Sequence, residues 1–63
     1  MVVSEKVIKR LTHMGVHEAT LYAVQVAQSE VEPMKVLDEL WERSRGAFDY
    51  STALGVLENE RSE

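Results

Sequence analysis

Apolar residues recur along this chain at helical spacing, in four separate blocks. In the first, Val7, Ile8, Leu11 and Met14 fall on one face. Ser4 precedes them as an N-cap. Gly15 follows them, where a left-handed C-terminal residue is wanted. The pattern predicts a helix over about 5–14. In the second block, about 17–28, the polar residues His17, Glu18, Gln25 and Gln28 gather in a stripe about 100° wide at 100° per residue. Thr20 lies outside that stripe. Ala19, Leu21, Tyr22, Ala23, Val24, Val26 and Ala27 cover the rest. A helix apolar nearly all round is a buried one. Its alanines at i, i+4 and i+8 make a flat ridge that lets a neighbour approach closely. This segment is expected to be the central helix.

Pro33 opens the third block, about 33–45, because its missing N–H costs nothing in a first turn. Met34, Val36, Leu37, Leu40 and Trp41 form its apolar face, and Gly46 is its stop signal. Lys35–Glu39 and Glu39–Arg43 are expected i, i+4 pairs. Asp49 can cap a fourth helix over about 50–60, with Tyr50, Ala53, Leu54 and Leu57 as its buried stripe. Gly55 inside it costs ~1 kcal/mol relative to alanine. No strand-like alternation or hairpin dipeptide appears. The expected fold class is all-α: a small bundle of three to four short helices in a single domain, residues 1–63.

Composition narrows the means of holding such a bundle together. A chain of 63 residues buries only about 60% of the surface its unfolded form exposes. It contains no cysteine, which excludes disulfides and thiolate metal sites and leaves helix packing or oligomerisation. The start, Met1 to Lys6, lacks the basic and apolar regions of a signal peptide. No apolar run approaches the ~20 residues that cross a bilayer. The expected location is the cytoplasm. Net charge is −4, unevenly spread: residues 1–28 balance at +1, and residues 29–63, with four basic and nine acidic groups, at −5. An acidic domain repels the phosphate backbone, which disfavours nucleic acid as a partner.

Few residues offer chemistry. His13 and His17 have the i, i+4 spacing of metal ligands, but Gly15 between them interrupts the helix that would align them. Glu30, Glu32, Asp38, Glu39 and Glu42 form an acidic cluster without the alternating oxygens and glycine of a calcium loop. Ser44, Ser51 and Ser62 lack a glycine elbow. No catalytic residue, metal or cofactor is expected.

The run Ile8-x-x-Leu11-x-x-Met14-Gly15-Val16 and the later run from Pro33 to Leu40 resemble the ubiquitin-associated (UBA) domain, a three-helix bundle. The resemblance covers residues 8–41. Val16 stands where the family carries an aromatic residue, and a fourth helical segment follows. The resemblance implies a surface made by the Met-Gly turn and the end of helix three, here Met14, Gly15 and Val16 with Leu40 and Trp41, that meets ubiquitin or another protein.

The leading expectation is therefore a non-enzymatic protein–protein interaction module: an adaptor, inhibitor or regulatory subunit. Its docking surface is Met14, Gly15 and Val16 with Leu40, Trp41 and Phe48. Tryptophan is enriched in binding hot spots, although an aromatic at helical spacing is more often core. The alternative is a small helix-turn-helix regulator of transcription presenting Lys35, Arg43 and Arg45 to DNA. A third reading is a homodimer, in which a second copy covers the apolar second helix.

Overall fold

Ser4 starts the first helix as its sequence position predicts. Its Oγ accepts from the Val7 N–H at 3.4 Å and its carbonyl from the Ile8 N–H at 3.1 Å. These bonds satisfy donors that a helix start leaves open. A computed structural model describes residues 3–61, in which four helices follow one another: α1 (Glu5–His13), α2 (Val16–Gln28), α3 (Pro33–Arg43) and α4 (Tyr50–Arg61). The chain is all-α, with no strand among the described residues. Residues 1–2 and 62–63 of the expected domain lie outside them. No helix among the described residues is long and apolar enough to cross a membrane.

Helix α2 is the hub. It packs against α1, α3 and α4, and α3 packs against α4. Ala19, Ala23 and Ala27 have no exposed surface, so the small-residue ridge brings the neighbouring helices in close. Leu11 of α1, Leu37 and Leu40 of α3 and Leu57 of α4 are the largest fully buried side chains. Each removes about 1.5–3 kcal/mol worth of apolar side chain from water. Val3, Val24, Phe48 and Ala53 complete the core. No buried side-chain nitrogen or oxygen among the described residues lacks a partner.

Two junctions differ from the sequence expectation. Gly15 is not left-handed. It has φ −67° and ψ 158°, and it serves as the N-cap of α2, which starts at Val16, one residue earlier than expected. Met14 ends α1 in an extended conformation, φ −95° and ψ 158°. Two extended residues join α1 to α2 without a left-handed turn.

The second difference is the end of α3, at Arg43 rather than 45. The Gly46 N–H donates to the Trp41 carbonyl at 2.9 Å, and the Arg45 N–H to the Glu42 carbonyl at 3.2 Å. That is the paired closure of a Schellman turn. Its left-handed position falls on Arg45, φ 59°, with Gly46 also left-handed at φ 71°. Ion pairing on α3 is also half revised. Arg43 meets Glu39 at 3.8 Å, but Lys35 turns back to Glu32 at 3.6 Å instead of Glu39.

Candidate functional site

The α3–α4 turn is organised around Trp41. Its indole Nε1–H donates to the Phe48 carbonyl at 3.1 Å. Its ring lies against Gly46, where an added Cβ would stand 3.3 Å from Cζ2. The Tyr50 ring sits 6.0 Å away at 59°, a tilted aromatic pair. The buried Ser44 hydroxyl donates to the Trp41 carbonyl at 3.3 Å and accepts from the Ala47 N–H at 3.4 Å. Held from these sides, Trp41 still exposes 40% of its surface.

Thr20 joins this turn to the start of α2. Its Oγ1 donates to the Val16 carbonyl at 2.7 Å and accepts from the Asp49 N–H at 3.1 Å. The threonine outside the polar stripe of α2 is thus a buried polar link. Asp49 then caps α4. Its carboxylate accepts from the Thr52 N–H at 3.3 Å and from the Thr52 hydroxyl at 2.8 Å. These bonds, the hydroxyl's first, hold its pKa below the ordinary carboxylate value.

Beside Thr20, α2 and α4 enclose a hollow of about 230 Å³ lined by Val16, His17, Thr20, Leu21, Asp49, Thr52 and Val56. Val16 is 60% exposed and Leu21 57%. Val16 shares the azimuth of the buried α2 residues but sits in the first turn. Leu21 lies about 120° round from the middle of the buried face.

The six residues expected to form the docking surface divide accordingly. Gly15, Val16 and Trp41 are exposed, and Met14 is half-buried against the core. Leu40 and Phe48 are corrections: both are core residues. Leu40 shares the inward face of α3 with Leu37, and the Phe48 side chain is buried while its carbonyl holds the indole. Hydrogen bonds through Phe48–Asp49 and Thr20 link Trp41 to Val16, so the two ends of the expected surface belong to one framework. Leu21 and Val56 were missed. At 100° per residue Leu21 falls within the angular range of the polar stripe, between Gln28 and Gln25, and counting it with the apolar remainder hides that sign.

Several of the groups that could bear chemistry make contacts within the chain. His13 Nδ1 lies 2.9 Å from the Lys9 carbonyl, and the break between α1 and α2 separates it from His17. Arg43 Nη1 donates to the Val3 carbonyl at 3.0 Å, and the guanidinium meets Glu39 at 3.8 Å and Glu5 at 3.9 Å. Lys35 and Arg43, two of the three cations of the helix-turn-helix alternative, are thus engaged within the chain. A hollow of about 420 Å³ forms a trough between Val3, the α2–α3 loop and α3, walled by Glu30, Glu32 and Glu39. It gathers no serine, threonine, cysteine or histidine. Set against known proteins, the chain matches no family model, no curated protein and no solved structure.

Proposed function

We propose that this chain is a non-enzymatic protein-interaction module of the cytoplasm, docking through the apolar surface that runs from Val16 and Leu21 to Trp41. One observation carries the reading: Trp41 is 40% exposed although hydrogen bonds and ring contacts fix it in place. A tryptophan already ordered in the free protein loses little rotamer freedom on binding, and that lowers the cost of association. Val16 and Leu21 add apolar area of the kind that marks contact surfaces on small domains. The absence of cysteine suits a reducing compartment.

The resemblance to UBA domains at Met14, Gly15 and Val16 supports the same surface and makes ubiquitin the first partner to try. Leu40 drops out of the contact set because it is buried. The test is affinity capture from the native source with wild type and Trp41→Ala in parallel, followed by titration of the captured protein and of ubiquitin. The reading expects a protein whose affinity falls by at least ~2 kcal/mol in Trp41→Ala, with helicity retained. Equal capture by both forms, or no specific capture by either, contradicts it.

A further inference from the structure

The chain carries a second surface, of opposite character, on α1. Lys6, Lys9, Arg10 and His13 stand at i, i+3, i+4 and i+7, which places them on one side of the helix. All four are exposed, on the side facing away from Val7, Ile8 and Leu11. The stripe spans two turns, about 10 Å. No ion pair among the described residues engages it. The ion pairs among the described residues use Lys35 and Arg43 of α3. Glu5, which could reach Lys9 one turn on, pairs with Arg43 at 3.9 Å. The Arg10 guanidinium lies over the Tyr22 ring at 6.0 Å, an aromatic contact that orders it. Ser4, Lys6, Val7, Arg10 and Tyr22 line a hollow of about 240 Å³ between α1 and α2.

From these observations we infer that the α1 face binds an acidic helical segment of a partner protein, with carboxylates at i, i+4 spacing meeting Lys6, Lys9 and Arg10. Charge complementarity selects this occupant. The stripe is a cationic patch, without an ion pair among the described residues, on a protein of net charge −4. Its length matches two turns of a helix. A long uniform polyanion would also meet the acidic groups of residues 29–63, and that repulsion disfavours nucleic acid and anionic membranes. The surface is separate from that of Trp41, so one chain can hold two partner elements.

The test is fluorescence anisotropy at low salt with a labelled helical peptide bearing glutamates at i, i+4. A labelled single-stranded oligonucleotide and phosphatidylserine vesicles serve as parallel arms. The expected result is peptide binding that weakens with salt. It falls about tenfold in the Lys6→Glu, Arg10→Glu double variant. It falls measurably in Lys9→Glu, an exposed position, and less than twofold in the α3 control Lys35→Glu. Circular dichroism checks that each variant is folded. No peptide binding, equal loss in the control, or tighter binding of the oligonucleotide or vesicles overturns the proposal.

Discussion

The Asp49 backbone N–H donates to Thr20 Oγ1 at 3.1 Å, joining the start of α4 to the first half of α2 across 29 residues of sequence. One hydroxyl thereby fixes where the fourth helix begins. Thr20→Val keeps the shape and removes the acceptor, leaving the Asp49 N–H without a partner in a part-buried site. The expected cost is about 1–3 kcal/mol in denaturant unfolding. Thr20→Ser keeps the bond and is expected to lose less.

The three glycines separate cleanly in what an alanine would do. Gly46 is left-handed at φ 71°, and its Cβ would press on the Trp41 indole at 3.3 Å. Gly46→Ala is expected to cost about 1–2 kcal/mol and to change the tryptophan emission. Gly55 is exposed in the interior of α4, with nothing within 4 Å of a Cβ. Gly55→Ala is expected to stabilise by about 1 kcal/mol. For a domain this small that is a rise in melting temperature of roughly 4–8 °C. Gly15→Ala meets no clash and an ordinary φ, but alanine is disfavoured at an N-cap, so a loss of about 0.5–1 kcal/mol is expected.

Tyr50 connects α4 to α3 through Asp38. Burial pushes its pKa above 10.0, and the Asp38 charge and hydrogen bond add to the shift. The fold favours the neutral phenol. Its contribution to stability is therefore present below the unfolded tyrosine pKa and lost as pH rises through the higher folded value. A spectrophotometric titration of Tyr22→Phe, which leaves Tyr50 as the only tyrosine, is expected to show ionisation above the free value. Adding Asp38→Asn is expected to bring it down.

Much of this fold was legible in the sequence because helical burial follows a 3.6-residue period. Leu11, Ala23, Leu37 and Leu57 all sit where that period places them. Ser4, Pro33 and Asp49 open their helices as their chemistry dictates. What the period cannot supply is the placement of the neighbouring helices. Leu40 and Trp41 are adjacent apolar residues on α3, yet one is fully buried and the other 40% exposed. Leu21 was assigned to a buried helix, but its side of α2 is left open. Gly15 looked like a helix stop and is an N-cap, since composition does not tell the end of one helix from the start of the next. Arg45 takes the left-handed position one residue before the expected glycine because the turn is closed by the Gly46 bond to Trp41.

On the proposed function, the exposed apolar residues contact a partner and do not support the fold. The Val16→Ser, Leu21→Ser double variant separates these roles, with unfolding free energy and partner capture measured on the same preparation. Stability within about 0.5 kcal/mol of wild type is expected, as for surface substitutions, with capture lost. Capture at the wild-type level would contradict it, and so would a loss of capture that merely tracks a loss of stability.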